Sequence, residues 1–169
     1  GPVTAKLMLV GEQPGDQEDK QGRPFVGPAG KVLDQALEEA GIERTEVYLT
    51  NAVKHFKFSL TERGQRHHRT PTLREMTGCK PWLEAEHAAL KPSLILGLGA
   101  TAGKALAGSG FTLAKQRGQW MEWHGTPFTV TYHPSAILRA PDAELRESLY
   151  NALVTNLLEV NRKLQRLAA

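Results

Sequence analysis

Only one cysteine, Cys79, occurs among 169 residues. It excludes an intramolecular disulfide and fits a reducing compartment, so the cytoplasm is the expected location. No apolar run approaches the roughly 18 residues that a membrane-spanning helix needs. The amino-terminal residues also lack the charged-then-apolar pattern of an export signal. Repeats, low-complexity tracts and linker-like stretches are missing, which removes fibrous and multidomain architectures. Net charge is nearly missing as well, at +3. What remains is the composition of one globular domain, residues 1–169, with 40% hydrophobic content. A chain of this size can bury roughly 70% of its unfolded surface.

The segment Gly11–Gly30, GEQPGDQEDKQGRPFVGPAG, carries the most information. It follows Leu7-Met8-Leu9-Val10, an apolar run that reads as a buried strand. A strand opening into a loop with a carboxylate, an amide and several glycines makes a pocket wall, because glycine lets backbone approach a ligand closely. Phe25 sits in this loop where a core would not need it. A flat ring beside a carboxylate suits a flat heterocyclic ligand.

Strand-like and helix-like patterns alternate along the chain. Lys6–Val10 is the first predicted strand, and Pro28–Ala40 a helix stopped by Gly41. Glu46–Val53 reads as a second strand, followed by a basic loop from Lys54 to Pro71. Thr72–Leu90 has amphipathic helical periodicity, Ser93–Leu98 is a third strand, and Ala100–Ala107 a short helix. Gln119–Trp123 and Thr126–Tyr132 flank His124-Gly125 as a hairpin. Pro141 opens a final helix to about Leu167, with Leu145, Leu149, Leu153, Leu157 and Val160 on one side. This order argues a three-layer α/β/α domain around a mainly parallel sheet. Ligands of such sheets sit beyond the carboxyl ends of the strands. One phosphate-loop lookalike fails on spacing: in Gly97–Ala105, Gly97 leaves five residues before Gly103-Lys104, Gly99 leaves three, and Ala105 offers no hydroxyl for magnesium. NTP hydrolysis is therefore disfavoured.

Charge is concentrated where total charge is not. Lys54, Lys57, Arg63, Arg66 and Arg69 face only Glu62 within residues 54–69, together with His55, His67 and His68. Such a cluster is either a solvated loop or the salt-sensitive part of a polyanion contact. Tyr132-His133-Pro134-Ser135-Ala136-Ile137-Leu138-Arg139 places a histidine at a strand end, able to donate into a pocket. Ile137 and Leu138 beside Arg139 resemble the apolar wedges with which proteins separate stacked bases.

GEQPGDQED at 11–19, GRPFVGPAG at 22–30, TNAVKHFKF at 50–58 and HPSAILR at 133–139 together resemble the uracil-DNA glycosylase superfamily, family-4 branch, over nearly the whole chain. Arg66-His67-His68-Arg69-Thr70-Pro71 is similar to the extra loop of its UdgX subgroup, whose members cross-link to uracil-containing DNA. The resemblance implies a three-layer α/β/α fold with a central, mainly parallel four-stranded sheet. It also implies excision of uracil followed by covalent capture of the abasic sugar.

By this resemblance Phe25 stacks on a flipped base, and Asn51 reads uracil by donating to O4 and accepting from N3–H, functions that cytosine reverses. His133 donates to O2 as negative charge develops. Gln13, Gly15 and Ser135 add contacts to the base, and Asp16 supports the pocket. Glu12 stabilises the sugar cation or serves the nucleophile, and His68 attacks C1′ to leave a stable N–C bond. Arg66 steadies the loop or a phosphate. Lys54, Lys57, Arg69, Ile137, Leu138 and Arg139 are the expected DNA contacts, on a monomer that prefers single-stranded DNA. His67 stands where the subgroup's loop carries an aliphatic residue, so it is a competing nucleophile. Two other functions stay open: a conventional multiple-turnover glycosylase in which His68 only touches DNA, and a non-catalytic binder of damaged or single-stranded DNA.

The resemblance further implies a 4Fe–4S cluster, two of whose ligands come from a Cys-x-x-Cys segment ahead of the first strand. Cys79 matches one remaining ligand and His55 occupies another cysteine site. Two ligands do not hold a cubane that takes about four. No complete cluster set is expected within residues 1–169, and Cys79 then reads as a buried thiol.

Overall fold

A computed structural model describes residues 1–169. Strand β1 (Leu7–Gly11) is buried along its whole length, and the short helix α1 (Asp16–Gln21) and α2 (Pro28–Glu39) follow it. Pro28 opens α2 at a position where its missing N–H costs nothing. Gly41, at φ +69°, closes it. The Gly41 and Ile42 N–H groups donate back to the carbonyls of Glu38 and Leu37, the reciprocal pattern that a left-handed glycine permits at a helix end.

After β2 (Val47–Asn51) come two three-residue strands, β3 (Phe58–Leu60) and β4 (Arg66–His68), then α3 (Leu73–Leu90) and β5 (Leu94–Leu98). Helices α4 (Ala100–Ala107) and α5 (Leu113–Gln116) lead to β6 (Met121–Trp123) and β7 (Thr126–Thr131), and α6 (Pro134–Leu138) and α7 (Ala143–Ala168) complete the chain. The main sheet has the order β2-β1-β5-β7-β6, parallel except for the edge strand β6. It has five strands where four were expected, the fifth being that antiparallel edge.

Two apolar layers form because alternate residues of β1 point to opposite faces. Leu7 and Leu9 join Leu33 and Leu37 of α2 and Leu153, Leu157 and Val160 of α7. Met8 and Val10 join Leu83 of α3, Ala102 and Leu106 of α4, and Phe111. Full burial of each such Leu is worth about 1.5–3 kcal/mol. Helix α3 buries only Cys79 and Leu83 completely, so its expected amphipathic face is thin. Helix α7 begins after Asp142, whose carboxylate accepts the Leu145 N–H at 2.8 Å, and Leu145 itself is exposed. No helix is long and apolar enough to cross a membrane.

The largest departure lies in residues 54–71, expected as a loop. Strands β3 and β4 pair there as an antiparallel ribbon, with Phe58 opposite His68 and Leu60 opposite Arg66. Gly64, at φ +72°, supports its turn. Both strands are short and solvent-facing, so they carry no apolar alternation that a sequence reading could use.

Candidate active site

The carboxyl ends of β1, β2 and β7 converge on a recess of about 230 Å3. Glu12 follows β1, Asn51 ends β2, and His133 follows β7. Register places Gly11 directly beside Asn51. A Cβ on Gly11 would lie 2.5 Å from Asn51 Oδ1 and 2.6 Å from Phe25 Cζ, so only glycine lets these two side chains meet. Asn51 is 7% exposed, and its amide makes no hydrogen bond within the protein.

Phe25 forms one wall. Its φ of +53° is unfavourable for a residue with a Cβ, and its surroundings hold it there. The Val26 and Gly27 N–H groups donate to Glu18 Oε1 at 3.1 and 2.8 Å, and Arg44 Nη2 donates to the Phe25 carbonyl at 2.9 Å. The ring stacks on His133 with centroids 5.8 Å apart. It also belongs to the apolar core, so the expectation that the core has no use for Phe25 is corrected.

The electrostatics of His133 fix its proton. Its Nδ1 accepts the Ser135 N–H at 3.0 Å, which leaves the proton on Nε2. Burial pushes its pKa down to about 4, against an upward pull from Glu12 and further lowering by Arg139 and His68. At neutral pH the ring is uncharged, and its Nε2–H has no partner in the protein. It is a hydrogen-bond donor aimed at whatever fills the recess.

Opposite it, His68 Nε2 lies 2.9 Å from Glu12 Oε1. The other carboxylate oxygen, Oε2, accepts the Thr101 hydroxyl. His67 pairs with Ser59 on the other face of the ribbon. Successive strand residues alternate in direction, so only one of two adjacent histidines can meet Glu12, and it is His68.

Several expected ligand contacts are also internal supports. Gln13 gives its amide to the ribbon: Nε2 donates to the Lys57 and Arg69 carbonyls at 3.3 and 3.0 Å, and Oε1 accepts the Lys57 N–H. Its side-chain amide thereby ties the end of β1 to the ribbon, while Gln13 also lines the recess. Arg66 is likewise occupied by Asp16 and Asp19, both at 2.6 Å, and its guanidinium lies 5.1 Å from the Phe56 and Phe58 ring centres. Those carboxylates raise the Arg66 pKa, and hydrogen bonds from Lys20 and Arg66 lower that of Asp16. These ion pairs clamp β4 to α1. Gly15 caps α1 and lines the recess, as does Ser135.

Lys54 is not a free DNA contact. Its ammonium donates to Thr50 Oγ1, the Asn51 carbonyl and Glu86, all within 2.7 Å. Lys57 pairs with Glu75 at 3.0 Å. Ile137 is 3% exposed and packs in the core, so the expected wedge reduces to Leu138, 46% exposed. Arg69 and Arg139 bind only hydroxyls, Ser59 and Ser135, and stay open to an anion. Two contributors escaped the sequence reading, Thr101 and Glu18. Thr101 sits in the segment whose glycines suggested a phosphate loop, and Glu18 is one more acid in an acidic stretch.

The residues present do not fit an iron–sulfur cluster. No group of three or more His, Cys, Asp or Glu side chains is placed to hold a metal ion. The Cys79 thiol is buried and accepts the Lys54 N–H at 3.4 Å, and His55 is exposed. A cubane takes about four ligands.

Comparison with known proteins gives a consistent family. The model of the uracil DNA glycosylase superfamily matches residues 1–158. A type-4 uracil-DNA glycosylase of Thermotoga maritima is 39% identical over 148 residues, covering 86% of this chain and 73% of the relative. Another, of Sulfurisphaera tokodaii, is 37% identical over 84% of this chain and 65% of the relative. The crystal structure of Pedobacter heparinus SMUG2 superposes with a TM-score of 0.60 at 10% identity, covering 96% of this chain and 77% of that one. That last likeness concerns fold alone.

Proposed function

The chain belongs to the uracil-DNA glycosylase superfamily, and we propose that it excises uracil from DNA and then captures the abasic deoxyribose at C1′ through His68. The observation that carries this reading is the contact of His68 Nε2 with Glu12 Oε1 at 2.9 Å, at the edge of the recess that holds Asn51, Phe25 and His133.

A nucleotide flipped out of its stack places uracil against Phe25. The Asn51 amide, which has no protein partner, donates to O4 and accepts from N3–H. As the C1′–N1 bond breaks, its electron pair leaves with uracil, and the uncharged His133 donates Nε2–H to O2. A donor aimed at developing charge is worth roughly 10²–10⁴ in rate. The unprotonated ring nitrogen of neutral His68 bonds C1′, and Glu12, in contact with the ring, takes the remaining N–H proton from the imidazolium so formed. The products are a neutral N-alkyl imidazole and a uracil anion, which takes up one proton from the medium or from Glu12. An alkylated imidazole has no easy hydrolysis route, so each molecule acts once.

The proposed substrate is single-stranded uracil-containing DNA, bound by a monomer. With Ile137 in the core, Leu138 alone offers little to force a duplex open. Arg69 and Arg139 supply backbone contacts. Similarity to type-4 enzymes favours a second reading, multiple-turnover hydrolysis with His68 as a DNA contact.

Denaturing electrophoresis with a labelled uracil-containing single strand separates the two. A heat-stable band at protein-plus-DNA mass, absent with thymine and lost in His68→Ala but retained in His67→Ala, is the expected result. Alkali-labile free DNA without that band would establish hydrolysis instead. Unaltered DNA would defeat both enzymatic readings.

A further inference from the structure

We infer that Thr101 is a positioning residue that decides the fate of the deoxyribosyl cation: it holds the Glu12 carboxylate so that His68, rather than water, takes C1′. This inference rests on the capture reading above and deepens it.

Glu12 has two carboxylate oxygens and two side-chain partners, one on each. Oε1 meets His68 on the ribbon, and Oε2 accepts the Thr101 hydroxyl from the first turn of α4. The two partners belong to elements of unequal rigidity. Thr101 is 7% exposed, beside the fully buried Ala102. The turn before it is built for close approach: Gly99 has a φ of +91°, and a Cβ there would lie 2.9 Å from the Cβ of His133. His68, by contrast, has a side chain 44% exposed on a solvent-facing ribbon. Water therefore reaches the nucleophile, and capture must outpace it.

An imidazole outcompetes water when its effective concentration is high, which requires a fixed near-attack geometry. Attack leaves the ring an imidazolium that must lose its remaining proton, so an acceptor must already face the ring. A carboxylate anchored at Oε2 keeps Oε1 in that place. Freed at Oε2, it turns about its terminal torsion, a broad and soft one, and the His68 ring loses its fixed acceptor. Excision proceeds meanwhile, because Asn51 and His133 hold the base and do not depend on Thr101. In the diverted reaction the C1′–N1 pair still leaves with uracil. The oxygen of water bonds C1′, its proton passes to Glu12 or solvent, and the product is a free abasic site.

The test compares wild type, Thr101→Val, Thr101→Ala and Thr101→Ser on one labelled uracil-containing single strand, reading uracil released and protein-linked DNA together. Valine matches threonine in shape without the hydroxyl, alanine asks the core for no added volume, and thermal melts check that each is folded. We expect adduct per uracil released to fall about tenfold in the valine and alanine variants, as loss of one hydrogen bond to a charged group implies. Free abasic sites make up the difference, and serine restores the wild-type ratio. A purely structural Thr101 would lower both products together. An unchanged ratio in the valine and alanine variants overturns the inference. Uracil release without any adduct in wild type overturns the capture reading itself, and with it this one, and is visible before any variant is made.

Discussion

Lowering the pH should destabilise this protein through His133. Its pKa in the folded state is about 4, against 6.5 for an unperturbed histidine, because it is buried and faces Arg139 and His68. Between those values the unfolded chain binds a proton that the folded chain refuses. Stability from this group is therefore complete above about pH 6.5 and is lost as pH falls toward 4. A pKa depressed by this much corresponds to as much as about 3 kcal/mol across the window. For a domain of this size that lowers the melting temperature by roughly 6–12 °C.

The comparison variant is His133→Asn. Asparagine cannot titrate, yet it accepts well at a helix N-cap, and its side-chain oxygen can take over the Ser135 N–H that His133 Nδ1 now accepts. Urea denaturation of both proteins from about pH 7 to about pH 4.5 isolates the histidine's contribution by subtraction. The subtraction also cancels His87, whose pKa is lowered too, by burial and by His124. Wild type should lose more stability than the variant over that range, with the gap widening as pH falls. Parallel curves would refute the assignment of His133 as a neutral, buried donor.

Three further outcomes are expected. Gly11→Ala puts a Cβ 2.5 Å from Asn51 Oδ1 and 2.6 Å from Phe25 Cζ; it should cost about 1–3 kcal/mol in a melt and sharply lower single-turnover uracil release. Asn51→Asp replaces the donor to O4 with a carboxylate oxygen; uracil release should fall about 10²-fold or more, and melting should fall as well, because the new carboxylate is 7% exposed and unpaired. Arg66→Leu removes the clamp to Asp16 and Asp19; limited proteolysis should then cut the ribbon faster, and adduct yield should fall more than uracil release.

The chain's layers were legible because they obey local rules. Leu7–Val10 is apolar without alternation, as a central strand covered on both faces must be. Pro28 and Gly41 bracket α2 with the asymmetry that helix ends impose. Glu12, Asn51 and His133 could be placed at strand ends, and a parallel sheet gathers its strand ends on one edge. Ile137 misled because it stands beside Leu138 and Arg139 in sequence, whereas its burial comes from packing of α6 against α2 and α7. The ribbon was invisible because three-residue strands facing solvent leave no periodic trace.

Residue order alone was enough to set the sheet's central strands, the flanking helices, and which residue types gather at the strand ends, since these follow from backbone preference and the burial of apolar runs. How the polar groups there are used emerged with the folded chain. Gln13 and Arg66 became braces of the ribbon, Lys54 turned from a DNA contact into the partner of Glu86, and His68 was distinguished from His67. Thr101 reached Glu12 across 89 positions. A hydrogen bond needs atoms within about 3 Å and nearly in line, and no pattern along the chain encodes such a distance between residues that only folding brings together.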